Sequence, residues 1–211
     1  MIKAIIFDYD GVIVDSFVNI FNIYKIITKK FNLKMPKTLE EFRVLYGYDY
    51  HNCHRNLDLK YEFEKEAQEI FNREKLKSDS KMFEGIDIVL ETLSKKYILF
   101  VVSNSISEDV NNKLQKYKLT KYFKGIFGRS EVNHRKSEIV KHILKEYNLD
   151  KDEIISIGDR TIDYDIAKEI GIRDENILIV EYGWGYDKDR VKVNYKIEKP
   201  IDIIDAIKLI D

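Results

Sequence analysis

The chain has 211 residues, with 36 Lys and Arg against 37 Asp and Glu, and a formal net charge of −1. This length allows one domain with a full core, or a core domain that carries a smaller insertion. The balanced charge produces no overall positive field, so nucleic acid and anionic membranes are not expected partners. The hydrophobic content of 44% and the charged content of 35% are typical of a folded, water-soluble protein.

The N-terminal residues and the cysteine content indicate where in the cell the protein is expected to be. Residues 1–7 are mostly apolar but reach Asp8 and Asp10 too early for a signal peptide. No later apolar run is long enough to span a bilayer, so we expect a cytoplasmic protein. Cys53 is the only cysteine, which excludes an internal disulfide and a cysteine-based metal site.

Short apolar runs of the β type alternate with helical patterns along most of the chain. The predicted strands cover residues 4–7, 98–102, 125–127, 154–157 and 177–180. Most of these runs lack a strict apolar–polar alternation, which is typical of strands buried on both faces. We therefore predict an α/β fold, a Rossmann-like open parallel sheet with helices on both faces.

Residues 17–77 interrupt this alternation, because they contain helical stripes and no convincing strand. The apolar positions of the two stripes are Phe17, Ile20, Phe21, Tyr24, Ile27 and Phe31, then Phe63, Ala67, Ile70 and Phe71. The pattern fits an inserted all-helical subdomain over residues 17–81, between core segments 1–16 and 82–211. Helices packed directly on the sheet would show the same periodicity, so the pattern alone does not separate the two arrangements.

Two acidic residues follow the first predicted strand, where open parallel sheets bind their ligands. Asp8 and Asp10 are two positions apart, so in an extended chain their side chains lie on the same side. The two charges repel each other there, and a bound cation would relieve that repulsion. An Asp that only caps a helix or forms a turn is the alternative interpretation.

Polar residues also stand near the ends of later predicted strands. Ser103 and Asn104 could donate hydrogen bonds to a phosphate, although both residue types are common in turns. Lys136 begins a helical pattern, where a lysine is usually a solvated charge. Asp159 and Asp163 follow the strand at 154–157 and offer oxygen ligands that suit Mg²⁺. Asp163 could instead be a first-turn helix acid that favours the helix dipole.

In order and spacing, these four segments resemble the motifs of the haloacid dehalogenase-like (HAD) superfamily: DxDG, Ser/Thr, Lys and GDxxxD. The resemblance covers essentially the whole chain and points to the phosphoglycolate phosphatase-like branch, with an inserted helical cap. Tyr182-Gly183-Trp184-Gly185-Tyr186 is similar to the stretch that follows the fifth strand in that branch. Arg160 departs from the Ser or Thr often found there, and no Pro follows Lys136. We expect Arg160 to point outward as a surface charge, with contact to an anionic substrate as the alternative.

The resemblance implies a phosphatase that hydrolyses a small phosphomonoester, such as phosphoglycolate or a sugar or nucleotide phosphate. Asp8 would attack phosphorus to form an aspartyl-phosphate, and Asp10 would act as general acid and base. Ser103 and Asn104 would hold phosphoryl oxygens, and Lys136 would offset negative charge. Lys118, Lys121 and Lys124 stand upstream as rivals for the lysine role.

The resemblance also implies a Mg²⁺ cofactor bound by Asp8, the backbone carbonyl of Asp10 and Asp159, with Asp163 in support. Dehalogenating members lack the second acid of DxD and the acidic metal site, so phosphate chemistry is favoured. A phosphosugar mutase of the same fold stays open, because it would use the same aspartates. A catalytically idle regulatory or binding protein also stays open. We expect a monomer or a homodimer.

The helical cap would close over the site and select the leaving group. Its candidate residues are Arg43, Gly47, His51, His54 and Arg55. The two arginines are favoured, because a guanidinium binds carboxylate or phosphate in a bidentate manner. No acid or third histidine completes a metal set with the two histidines, so both are predicted to lie on the surface.

Overall fold

A computed structural model describes residues 1–129, 135–185, 191 and 194–211. The strands of this part are β1 (Ala4–Phe7), β2 (Val14–Asp15), β3 (Lys81–Met82), β4 (Ile98–Ile106), β5 (Gly125–Arg129), β6 (Ile154–Gly158) and β7 (Ile177–Ile179). Five of them form a parallel sheet in the order β5-β4-β1-β6-β7. The predicted Rossmann-like α/β fold with an open parallel sheet is confirmed.

The helices of the described part are α1 (Phe17–Lys30), α2 (Leu39–Tyr46), α3 (Tyr50–Asn56), α4 (Glu64–Lys77), α5 (Ile86–Leu93), α6 (Ser107–Lys116), α7 (Lys136–Glu146), α8 (Thr161–Ile170) and α9 (Asp202–Ile210). None of these helices is long and apolar enough to cross a membrane.

Helices cover both faces of the parallel sheet, as β1 illustrates. Ile5 and Phe7 pack into a core with residues of α5, α6 and α9, whereas Ala4 and Ile6 pack into a second core with α7 and α8. All four side chains are buried. In a strand that is buried on both faces, successive residues are all apolar, which explains the continuous apolar run in the sequence.

The register of the central strands brings distant segments to one edge of the sheet. Phe7, the last residue of β1, is level with Val101 of β4 on one side and Ile157 of β6 on the other. Because the strands are parallel, the residues that follow these three positions emerge at the same edge.

Strand β4 is longer than predicted. It continues to Ile106, with an irregular register after Val102 before Ile106 pairs with Arg129 of β5. Ser103 and Asn104 therefore lie within the strand rather than after it. The prediction ended at the first polar residue, but pairing with β5 resumes beyond the irregularity and extends the strand.

A short antiparallel pair was not predicted. Val14 of β2 pairs with Met82 of β3, and Asp15 pairs with Lys81. Each strand has only two residues, so neither contains enough sequence to show a periodicity.

The chain divides into two compact units, one of residues Met1–Asp15 and Lys81–Asp211, the other of residues Ser16–Ser80. These boundaries lie one residue before the predicted ones at each end. The second unit contains α1 to α4 and no strand. Its core includes an aromatic cluster in which Phe42 contacts Phe17, Phe21 and Tyr24. Its function as a cap stays a prediction.

Candidate active site

Asp8 comes directly after the central strand β1. Its backbone N–H donates a hydrogen bond to the carbonyl of Ile157, at 2.8 Å, which continues the pairing with β6 by one residue. Only 12% of its side chain is exposed, and the Nζ of Lys136 lies 3.1 Å from its Oδ1. The structure therefore brings together the predicted nucleophile and the predicted lysine, which are far apart in sequence.

Lys136 is the first residue of α7, and its side chain is buried between two acids. Its Nζ lies 2.6 Å from Oδ1 of Asp163 in addition to its contact with Asp8. Burial disfavours the charged amine, but attraction to Asp163 and Asp8 outweighs it and raises the pKa of Lys136 above its ordinary value. The rival lysines all have exposed side chains: Lys118, Lys121 and Lys124.

Asp159 lies in the turn after β6 and is fully buried. Its Oδ2 accepts a hydrogen bond from the backbone N–H of Trp184 at 2.9 Å. Its Oδ1 has no hydrogen-bond partner within the described part of the chain. Gly11 packs against this carboxylate with a φ of 82°, and a Cβ at Gly11 would lie 2.0 Å from Oδ2. Glycine is therefore required there for both conformation and space.

The side chain of Asp163 links the start of α8 to Lys136. It is the third residue of α8, and its Oδ2 accepts hydrogen bonds from the backbone N–H groups of Asp159 and Arg160, at 3.3 and 3.2 Å. Its Oδ1 faces Lys136. The carboxylate thus acts as a helix N-terminal acid and also connects the lysine with the turn that carries Asp159.

Three carboxylates form a group that could hold a metal ion. Asp8, Asp159 and Asp163 each offer one oxygen, and these oxygens lie within 4.8 Å of one another. Burial raises the pKa of Asp8 to about 7; Lys136 opposes this increase, and repulsion from Asp163 and Asp10 adds to it. Burial also raises the pKa of Asp159. Ionising these clustered acids costs free energy, and Asp159 has a buried oxygen without a partner in the part of the chain that the structure describes. Such a group fits a divalent cation that prefers oxygen ligands.

The side chain of Asp10 is outside that group. Its Oδ2 accepts a hydrogen bond of 2.6 Å from the hydroxyl of Ser105. The buried Ser103 accepts a hydrogen bond of 3.0 Å from the backbone N–H of Ser105, while Asn104 is exposed. Ser105 was not predicted as a site residue. The period of two along a strand, which places Ser103 and Ser105 on one side, is the signal that could have found it.

Arg160 does not point outward as predicted. Its guanidinium carbon lies 4.9 Å from the ring centre of Trp184, and its side chain is partly buried. The prediction used the general exposure of arginines, which does not anticipate an aromatic partner from a distant loop. Trp184 belongs to the 182–186 stretch, of which Tyr186 lies outside the described residues.

In the helical unit, the prediction that His54 lies on the surface is wrong. His54 is buried, and its Nδ1 lies 4.0 Å from Glu64, at the start of α4. Its position on the inner side of α3, beside the ring of Tyr24, could not be seen from the spacing of the two histidines. The other candidates of this unit are exposed: Arg43, Gly47, His51 and Arg55. Their contact with substrate stays a prediction.

A family model described as haloacid dehalogenase-like hydrolase matches residues 5–175. The chain belongs to this family. The match includes Asp8, Lys136 and Asp159. A comparison of the chain with curated proteins found no significant match.

Solved structures with the same fold cover nearly the whole chain. A Clostridium difficile protein described as a candidate phosphatase is 28% identical, with a TM-score of 0.75 and 97% of each chain covered. A Haemophilus somnus protein described as a candidate phosphoglycolate phosphatase is 20% identical, with a TM-score of 0.80 and 98% of each chain covered. A Thermotoga maritima protein described as a candidate beta-phosphoglucomutase is 23% identical, with a TM-score of 0.68 and 99% of each chain covered.

Proposed function

We propose that this hydrolase-family member is a Mg²⁺-dependent phosphatase of small phosphomonoesters, with Asp8 as its nucleophile. The observation that carries the proposal is the largely buried Asp8 carboxylate, 3.1 Å from Lys136 and beside the buried acids Asp159 and Asp163. A carboxylate repels a dianionic phosphate, so a nucleophile of this kind requires positive charge around it. The phosphatase description of the Clostridium difficile relative supports the same reaction class.

The proposed reaction has two displacements at phosphorus. A carboxylate oxygen of Asp8 forms a bond to phosphorus while the bond from phosphorus to the alcohol oxygen breaks, and Asp10 gives its proton to that oxygen. An oxygen of water then forms a bond to phosphorus and loses a proton to Asp10, while the bond from the Asp8 oxygen to phosphorus breaks. Inorganic phosphate leaves, and both carboxyl groups return to their starting states.

Neighbouring side chains would hold the reacting groups in place. The 2.6 Å hydrogen bond from Ser105 fixes the carboxyl of Asp10, which must face the leaving oxygen. Lys136 would offset the charge on Asp8 and on the transferring phosphoryl group. Ser103 and Asn104 are proposed to donate to phosphoryl oxygens from the last part of β4.

The proposed cation ligands are the carboxylates of Asp8 and Asp159 and the backbone carbonyl of Asp10. Asp163 would support them, because both of its oxygens already accept hydrogen bonds from Lys136 and from backbone N–H groups. When bound, Mg²⁺ would neutralise the repulsion between the carboxylate nucleophile and the dianionic substrate. Oδ1 of Asp159, which has no partner among the described residues, supports this assignment.

A panel of phosphate esters tests the proposal. Purified protein would be assayed for phosphate release from phosphoglycolate, sugar phosphates and nucleoside monophosphates, each with and without Mg²⁺. We expect release from at least one ester, only with the cation, and none from Asp8→Asn or Asp10→Asn. Absence of Mg²⁺-dependent release from every ester would contradict the proposal and favour a catalytically idle binding or regulatory protein.

A phosphosugar mutase is the second candidate, favoured by the likeness to the Thermotoga maritima structure. The mutase would return the phosphoryl group from Asp8 to the sugar instead of to water. A time course with a hexose 1-phosphate separates the two reactions, because isomerised sugar phosphate without free phosphate would identify a mutase.

A further inference from the structure

The segment 183–185 packs against the turn that carries Asp159. A Cβ at Gly183 would lie 2.3 Å from the Cβ of Asp159 and 2.6 Å from the carbonyl oxygen of Gly11, so a larger residue does not fit. Between the two glycines of the segment, the backbone N–H of Trp184 donates to Oδ2 of Asp159. This contact fixes one carboxylate oxygen and leaves Oδ1 without a partner among the described residues.

Arg160 packs against the same segment, at Gly185 and Trp184. A Cβ at Gly185 would lie 2.0 Å from the Cγ of Arg160, so the arginine stem passes directly over that glycine. The guanidinium then lies over the ring of Trp184, at 4.9 Å, and the indole is buried. Arg160, which directly follows Asp159 in the chain, therefore contacts Trp184, whose backbone N–H donates to Asp159.

We propose that Arg160 and Trp184 are positioning residues, which hold the Asp159 carboxylate so that Oδ1 can bind a divalent cation. The stack fixes the indole, the fixed indole holds the Trp184 backbone in place, and the backbone N–H orients the carboxylate. This inference rests on the proposed function, because it assumes that Asp159 is a cation ligand. Groups that orient a ligand in this way typically contribute about 10-fold to 100-fold in metal affinity.

Because Arg160 is charged, charge repulsion and positioning predict changes of Mg²⁺ affinity in opposite directions when the arginine is removed. A guanidinium beside a cation site repels the cation, so a charge effect alone predicts that Arg160→Ala binds Mg²⁺ more tightly. Positioning predicts the opposite, because the stack is lost and Asp159 is no longer held.

Isothermal titration of the intact protein with MgCl₂ measures the cation affinity without substrate. We expect Arg160→Ala to weaken Mg²⁺ binding about 10-fold. Trp184→Phe keeps a stacking ring and should stay within about 2-fold of the wild type. In the ester assay, the Mg²⁺ concentration that gives half-maximal phosphate release should rise by a similar factor for Arg160→Ala.

A matched control removes a different cation from an aromatic ring. Lys121 lies 4.8 Å from the ring centre of Tyr122 and is exposed, so Lys121→Ala should leave the Mg²⁺ affinity unchanged. Trp184 is the only tryptophan of the chain, so its fluorescence reports the stack itself. Arg160→Ala should shift its emission to longer wavelength in the absence of Mg²⁺.

Equal or tighter Mg²⁺ binding by Arg160→Ala would overturn the inference while leaving the proposed phosphatase function intact. If Arg160→Ala does not fold, Arg160→Lys replaces it, since lysine keeps the charge and loses the planar stack; unchanged affinity in that variant would also overturn the inference. Failure of the wild type to bind Mg²⁺ would instead refute the cation site of the proposed function, and the inference with it.

Discussion

In the sheet-containing unit, the pKa of Asp211 and the pKa values of the two clustered acids Asp8 and Asp159 are shifted in opposite directions. Asp211 accepts hydrogen bonds from the backbone N–H of Ile2 and from the side chains of Lys96 and Tyr97. The hydrogen bonds from Lys96 and Ile2 lower the pKa of Asp211 to about 2. Asp8 and Asp159 are buried among other acids, and their pKa values are raised. A carboxylate whose partners lower its pKa stabilises the fold, whereas buried acids whose pKa values stay raised by burial and mutual repulsion indicate a functional site.

The largest expected effect comes from Asp8→Asn. We expect phosphate release to fall by on the order of 10⁴-fold or more, because the nucleophile is removed. In the absence of Mg²⁺ at about pH 8, the variant should also be more stable than the wild type by about 1 kcal/mol, since a buried charge is removed. Assays of phosphate release and thermal unfolding check both parts.

Asp165→Asn is the matched control for this variant, because Asp165 is an exposed acid on α8. It should change neither activity nor stability appreciably. Full activity of Asp8→Asn would refute the assignment of the nucleophile.

The pH dependence of stability should show the cost of the clustered acids. The pKa of Asp8 in the folded protein, about 7, is above its ordinary value, so the folded state keeps a proton that the unfolded state has lost. Without Mg²⁺, the free energy of unfolding should therefore fall as pH rises, by about 1.4 kcal/mol between pH 6 and 8 from Asp8 alone. Thermal unfolding at several pH values measures this.

Mg²⁺ should restore stability most at the higher pH, where it no longer competes with protons for the carboxylates. The same experiment on Asp8→Asn provides the control, because that variant should lose the part of the pH dependence that comes from Asp8. A wild-type stability that rises between pH 6 and 8 would contradict the raised pKa.

A smaller effect is expected from Ser105→Ala, which removes the 2.6 Å hydrogen bond to Asp10. We expect kcat to fall about 10-fold, because the general acid and base is no longer held by this hydrogen bond. Ser105→Thr keeps the hydroxyl and should recover most of the activity. Steady-state kinetics of the three proteins measure the effect, and equal kcat values would show that Ser105 does not position the acid.

The smallest effect is expected at Asp211, whose pKa is lowered. Asp211→Asn should lower the free energy of unfolding by about 1 kcal/mol, because its hydrogen bonds to Lys96 and Ile2 lose their charged acceptor. Phosphate release should not change. Denaturant unfolding and the ester assay, performed on the same preparation, test this separation of stability from activity.

The sequence predicts the sheet well, because long apolar runs such as 154–157 and the helical stripe of α1 carry clear periodicities. The order and spacing of the motifs also give Asp8, Lys136 and Asp159 as candidate site residues, and the structure brings these three side chains together. It does not predict β2, β3 or the last part of β4, where strand pairing between distant segments decides the structure.

The missed contacts of the site have the same origin. The hydrogen bond from Ser105 to Asp10 and the stack of Arg160 on Trp184 join residues that are distant in sequence or belong to segments without periodicity. Local preference therefore gives no sign of them. His54 differs, because its burial depends on which side of a short helix faces the core of the helical unit.

The antiparallel pair of β2 and β3 has a consequence for how the chain could evolve. Asp15 and Lys81, the residues that border the helical unit, are direct cross-strand partners. A segment whose two ends leave the sheet-containing unit side by side can change in length at little entropic cost to that unit. The pair therefore allows the helical unit to change in length while β1, the strand that precedes Asp8, keeps its register.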